Sequence, residues 1–194
     1  MWRCWGSELM RPSLPFLAVA LALATLAAWL DAQRGRIPNW LTLPALALAP
    51  LAHALLARGH HTMIGLPAPL FAAIWSLSSA LVAGFVPYLL FELGLAGAGD
   101  AKLLAALGAL LLPEVGLAAE FSAFAAAALF VPARLAYRGT LFGTLAESLT
   151  FLTLGLRQKS RTAFAPHAFT EQLRLGPFIL LGTLFAPFLA RVPA

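Results

Sequence analysis

Charged residues and cysteine are both scarce in this 194-residue sequence. It contains 13 lysines and arginines and 8 aspartates and glutamates, so charged residues make up 11% of the chain. A typical soluble domain carries about 25%. Hydrophobic residues make up 61%, and the mean hydropathy is +0.85. This composition excludes a soluble globular protein and also a disordered chain, which needs low hydrophobicity and high charge. It leaves an integral membrane protein.

The single cysteine, Cys4, excludes further classes of protein. No intrachain disulfide can form, and no Cys-x-x-Cys pair is available for metal binding or redox chemistry. Basic residues do not form a block interleaved with aromatics, so nucleic acid is not an expected partner. The net charge of +5 therefore bears first on membrane topology.

Long apolar runs without alternation predict an all-α, polytopic membrane protein and disfavour a transmembrane β-barrel. Six runs are predicted to span the membrane: 14–30, 40–57, 68–91, 93–112, 115–137 and 175–190. The first is expected to be a retained span, with a cleaved signal peptide as the alternative. Neither end has the composition of a soluble domain, so residues 1–194 are expected to form a single membrane-embedded domain.

The stretch between the fifth and sixth runs has a different composition. Its large apolar residues recur at three- and four-residue steps and form one helical stripe: Phe142, Leu145, Leu149, Leu152 and Leu156. With basic flanks, this pattern predicts an amphipathic helix at about 141–156, lying in the membrane interface with lipid as its partner. A short seventh span is the alternative.

Basic residues in the predicted loops indicate the orientation of the chain. Nine fall on the side of the loops after spans one, three and five, and four fall on the other side. The excess places the odd-numbered loops in the cytoplasm and the N-terminus outside. A seventh span would reverse this majority, so the orientation depends on an interfacial helix at 141–156.

The chain has only two aspartates, Asp31 at the end of span one and Asp100 in span four. By parity, both lie on the same membrane face. Two carboxyls that meet in a partly dehydrated site share one proton; the ionised one can activate water while the protonated one polarises a carbonyl. The structural alternatives are a membrane-edge residue for Asp31 and a helix N-cap for Asp100.

Residues around the two aspartates are candidates for shaping a cleft. Gly97 and Gly99 precede Asp100 and permit close approach of another chain. Pro38 stops helix propagation after span one, and Asn39 can cap the start of span two. Lys102 can orient or neutralise charge near the aspartates, or anchor the helix at the interface.

These segments carry a resemblance to the type IV prepilin peptidases. Residues 31–42 (DAQRGRIPNWLT) resemble the first conserved block of that family, and residues 97–108 (GAGDAKLLAALG) resemble its GxGD block. Residues 175–178 (LGPF) are similar to a Gly-Pro-Phe-type string in the last helix. The two blocks stand in the family's order in a chain with six predicted spans.

The resemblance implies a GxGD membrane aspartyl protease with Asp31 and Asp100 as its catalytic pair and no metal or other cofactor. Such enzymes remove the basic leader of prepilins and prepilin-like subunits, including pseudopilins and Flp-type pilins, at the cytoplasmic face of the bacterial inner membrane. Family members that also methylate the new N-terminus carry a cysteine tetrad. This chain has one cysteine, so it resembles the short, peptidase-only branch, and methyltransferase activity is not expected.

Other functions compete with a protease. A non-enzymatic transporter or scaffold can use intramembrane aspartates as proton or ion sites. Metal binding and serine catalysis have weaker support, because the histidines and serines lack the spacing of known sites: His53, His60, His61, Ser76, Ser78 and Ser79. Glu114 and Glu120 are expected to be turn or cap residues near the face opposite the aspartates.

Overall fold

A computed structural model describes residues 12–57, 65–93, 96–139, 142–143, 146 and 174–190. Five helices follow one another in this part of the chain: α1 (Leu14–Arg34), α2 (Asn39–Leu56), α3 (Ala68–Glu92), α4 (Ala98–Tyr137) and α5 (Gly176–Leu189). No strand occurs among the residues described. The prediction of an all-α, polytopic membrane protein is confirmed.

The first four helices are long and apolar enough to cross a membrane, whereas the 14-residue α5 is shorter than a usual span. The bounds of α1 to α3 lie within four residues of the predicted spans. A total of six spans and a single domain over residues 1–194 stay predictions. The amphipathic helix predicted at about 141–156 lies almost wholly outside the described residues.

The fourth and fifth predicted spans are the two arms of α4, which breaks at Leu112 (φ 62°, ψ 170°). A straight helix of this length, 40 residues, would extend about 60 Å, twice the hydrocarbon core of a bilayer. Instead, a Cβ on Gly116 would lie 3.1 Å from the Cα of Gly108. These positions would be about 12 Å apart in a straight helix, so the chain folds back on itself.

A proline causes the break in α4, and side chains from α2 and α3 form hydrogen bonds with the carbonyls beside it. Pro113 has no N–H, so the carbonyl of Ala109 cannot receive its helical hydrogen bond. Three buried side chains from other helices donate to this carbonyl and to the carbonyls on either side of it: Ser79 Oγ to Gly108 O at 2.6 Å, Ser76 Oγ to Ala109 O at 2.8 Å and His53 Nε2 to Leu110 O at 3.2 Å.

These hydrogen bonds explain the roles of three side chains that the sequence alone did not assign. The hydroxyls of Ser76 and Ser79 and the imidazole of His53 are engaged in closing the break, and the His53 ring stacks on Phe16 with centroids 3.7 Å apart. Their roles are therefore structural. The prediction for Glu120 is wrong, because this residue lies within α4, 5% exposed, and its Oε2 has no hydrogen-bond partner among the residues described.

Small residues bring the helices close together around α4. Gly182 of α5 lies so close to α4 that a Cβ would meet the Ala123 nitrogen at 2.8 Å, and Gly84 of α3 faces Ala105 at 3.0 Å. Large apolar side chains such as Leu55 and Leu129 point outward. Lipid is as apolar as these side chains, so close packing and internal hydrogen bonds must hold the helices together.

The serines at the break provide a test of this account. Ser76→Ala and Ser79→Ala should each destabilise the protein by about 1 kcal/mol, because each removes a buried hydrogen bond between two helices. Ser78→Ala is the matched control, since the Ser78 hydroxyl bonds to the Trp75 carbonyl of its own helix. Unfolding by SDS titration in mixed micelles measures the difference. Equal effects in all three variants would contradict the proposed closure of the break.

Candidate active site

The end of α1 positions the first aspartate. Gly35 adopts a left-handed conformation (φ 63°) and its N–H donates to the Asp31 carbonyl at 2.8 Å, which ends the helix. The chain then turns away in an extended stretch, and Pro38 (φ −75°) precedes the first residue of α2. Asp31 therefore lies in the last turn of α1, where its side chain is 6% exposed.

The start of α4 positions the second aspartate. Gly97 is the N-cap residue, and Asp100 is the third residue of the helix, not a residue two turns inside a span as the apolar run predicted. The non-helical residues before Ala98 shift the start of the helix forward. The Asp100 Oδ2 accepts a hydrogen bond from the Gly97 N–H at 3.3 Å, so this carboxylate satisfies a free donor of its own first turn.

The loop after α1 packs directly against the first turn of α4. A Cβ on Gly99 would lie 3.0 Å from the Ile37 Cβ and 3.2 Å from the Ile37 carbonyl oxygen, so a larger residue here would have to displace Ile37 by a few tenths of an ångström. Beside it, the Lys102 ammonium donates to Asn39 Oδ1 at 2.9 Å. This bond joins α4 to the start of α2, and it gives the lysine a neutral partner.

A third segment, at the start of α5, reaches the same place. The Gly176 N–H donates to Asp31 Oδ2 at 3.0 Å across a sequence separation of 145 residues. Arg174 donates through its guanidinium to the carbonyl of Ala32. Sequence reasoning noted the string at 175–178 without giving it a part in the site. No periodicity or spacing signals a contact over such a separation.

The end of α1, the loop after it, the start of α2 and the start of α4 line a cavity of about 380 Å³. Ten residues line it: Asp31, Gly35, Arg36, Ile37, Asn39, Gly97, Ala98, Gly99, Asp100 and Lys102. Six of the seven candidate residues from the sequence are among them. The seventh, Pro38, is absent from the lining and serves as the N-cap of α2. Sequence reasoning gave no role in the site to Gly35, Arg36, Ile37 and Ala98, although all four lie inside its two blocks.

The chemistry available in the cavity comes from two carboxyls and two cations. Asp31 and Asp100 are near enough for the charge of one to act on the other. Arg36 and Lys102 also line the cavity. One oxygen of each carboxyl accepts a hydrogen bond from a backbone N–H group. Within the described part of the chain, no three His, Cys, Asp or Glu side chains are grouped to hold a metal ion. Such a pair of carboxyls is suited to acid–base chemistry on a bound water.

The helices and this cavity define a polytopic membrane protein with paired carboxyls at the ends of its helices. A family model described as the type IV leader peptidase family matches residues 18–132, which is more than half of the chain and includes both aspartates. The chain belongs to this family, so it is a peptidase, and the resemblance noted in the sequence is confirmed. No curated protein and no solved structure matches the chain.

The two glycines that precede Asp100 should both respond to alanine, for different reasons. Gly99→Ala adds a methyl group against Ile37, which must shift by a few tenths of an ångström, and should reduce peptidase activity by about tenfold, less than the ~10²-fold cost of a 1 Å displacement. Gly97→Ala places a methyl group 3.0 Å from the Asp100 Oδ2 and turns that carboxyl, so it should reduce activity by about 10²-fold. Gly143→Ala, whose methyl group meets nothing within 4 Å, is the control. Cleavage rates of the purified variants measure the difference, and normal cleavage by Gly97→Ala would contradict this account of the cavity.

Proposed function

We propose that this protein is a membrane aspartyl endopeptidase in which Asp31 and Asp100 form the catalytic pair. It removes the leader peptide from type IV prepilins or prepilin-like subunits, such as pseudopilins and Flp-type pilins. The observation that carries the proposal is that two aspartates 69 positions apart in the chain line one cavity. Membership in the type IV leader peptidase family supports the substrate class.

The proposed reaction uses one proton shared by the two carboxyls. The ionised carboxylate accepts a proton from water as the water oxygen attacks the scissile carbonyl carbon. The protonated carboxyl gives its proton to the carbonyl oxygen, which yields a tetrahedral intermediate. The newly protonated carboxyl then gives its proton to the leaving nitrogen as the C–N bond breaks, and the other carboxylate takes the hydroxyl proton of the intermediate, so the pair again holds one proton. The two carboxyls relay protons that come from the attacking water, and no cofactor takes part.

The position of the cavity suits a substrate that enters from the membrane edge. Its lining comes from the end of α1, the start of α2 and the start of α4. Prepilin-like substrates are cut between a polar leader and a long apolar helix. A cleft at helix ends lets that apolar helix remain in lipid while the peptide bond before it reaches the carboxyls. Gly97 and Gly99 leave room for the substrate backbone in this cleft.

Replacing the aspartates tests the proposed pair. Asp31→Asn and Asp100→Asn should each reduce cleavage of a co-expressed prepilin by about 10²–10⁴-fold, the contribution typical of general acid–base catalysis. Glu114→Gln, an exposed acid at the break in α4, is the control and should cleave normally. Immunoblotting for the shortened pilin, with mass spectrometry of its new N-terminus, provides the measurement. Full processing by both asparagine variants would refute the protease and favour a transport or scaffold role.

Basic residues are in excess on the side of the loops after spans one, three and five. This excess supports an orientation in the bacterial inner membrane with the cavity facing the cytoplasm. In a Cys4→Ser background, Arg36→Cys should react with a membrane-impermeant maleimide in inverted vesicles and not in right-side-out vesicles. Glu114→Cys, exposed at the other end of α4's first arm, should show the opposite pattern. The reverse result at both positions would place the cavity on the outer face and overturn this orientation.

A further inference from the structure

The two aspartates reach the cavity from opposite kinds of helix end. Asp100 lies in the first turn of α4, where free N–H groups and the positive end of the helix dipole are available, and it takes its hydrogen bond from Gly97 of the same turn. Asp31 lies in the last turn of α1, where the free backbone groups are carbonyls and the dipole disfavours a carboxylate. Its own helix end therefore cannot stabilise its charge.

The amino end of α5 supplies what the end of α1 lacks. Gly176 is the first residue of α5, and its N–H, one of the donors left free at a helix start, points at Asp31 Oδ2 at 3.0 Å. The bond is buried, because both residues belong to the interior. A second link, from the Arg174 guanidinium to the Ala32 carbonyl, joins the same two segments one residue further along α1.

The contact requires glycine at this position. A Cβ on residue 176 would lie 2.9 Å from both the Cβ and the Oδ2 of Asp31, and 3.1 Å from the Cα of Ala28. The Ala28 atom is helix backbone and cannot move aside. Any side chain here would therefore push α5 away from α1 or turn the Asp31 carboxyl out of its position.

We propose that Gly176 is a positioning residue for Asp31, and that the amino end of α5 is a third component of the active site. The inference rests on the proposed catalytic pair. It reaches beyond the family comparison, because the matched region ends at residue 132 and assigns nothing to α5. By holding one carboxyl oxygen, the Gly176 N–H limits rotation of the Asp31 side chain and keeps it directed at the bound water.

Turnover by matched variants of α5 tests the proposal. Gly176→Ala should lower kcat by about 10²-fold and leave KM within about threefold, because displacement of the reacting groups by about 1 Å slows the chemical step. Ile179→Ala, one turn along the same helix and 1% exposed, removes core packing without adding atoms beside Asp31. It should lower thermal stability while folded enzyme keeps its kcat. Equal kcat losses per folded molecule in the two variants would overturn the positioning role.

A measurement independent of activity keeps the proposal testable if Gly176→Ala fails to fold. In glycine-labelled protein, the assigned amide signal of Gly176 should move in Asp31→Ala, which removes the acceptor, and stay in place in Glu114→Gln. An unmoved Gly176 signal in Asp31→Ala would overturn the contact itself. Failure of the proposed function would give a different result: the Asp31→Asn and Asp100→Asn enzymes would still cleave prepilin.

Discussion

Peptide groups freed where helices break or end must find partners inside this protein, because the lipid around it offers none. The break at Leu112 shows how strict this constraint is. The Ala109 carbonyl loses its helical donor there, and three side chains on α2 and α3 donate to it and to the carbonyls on either side. The placement of α2 and α3 against the break in α4 and the burial of Ser76, Ser79 and His53 follow from that requirement.

The same requirement explains why the carboxyl-lined cavity lies where it does. The end of α1 and the start of α4 and α5 each carry backbone groups that a helix cannot satisfy internally. N–H groups of the two helix starts bind the two carboxyls, one each. A polar cavity is therefore least costly at a meeting of helix ends, where unsatisfied donors and ionisable side chains can satisfy one another.

The sequence was most informative where a residue's position follows from its neighbours in the chain. Apolar runs located α1, α2 and α3, because a lipid-spanning helix must be apolar over most of its length. Parity brought Asp31 and Asp100 to one face without any knowledge of packing. The gap between the fourth and fifth apolar runs marked the turn within α4, where Pro113 lacks the N–H that a continuous helix needs.

Features set by distant contacts were beyond the sequence. The apolar run placed Asp100 inside a span, yet the helix begins only at Ala98, since hydropathy cannot locate a cap. Glu120 was expected to be a turn or cap residue near the face opposite the aspartates, and nothing nearby in the chain indicated its burial. The sequence did not reveal the hydrogen bonds of Ser76, Ser79 and His53, because the carbonyls that accept them lie on another helix.

The amino end of α5 supplies a hydrogen-bond donor that Asp31 cannot obtain from its own helix. The region matched by the family ends at residue 132, and both aspartates fall within it. An aspartate in the last turn of a helix nevertheless needs a donor from outside that helix, and α5 provides one across 145 residues of sequence. Glycine at 176 is then a consequence of geometry, because two helices can approach to hydrogen-bonding distance of a carboxyl only where no side chain intervenes. The cavity is lined by residues of α1, α2, α4 and the loops beside them, and α5 contributes through its bond to Asp31, a contact that becomes visible only once the chain is folded.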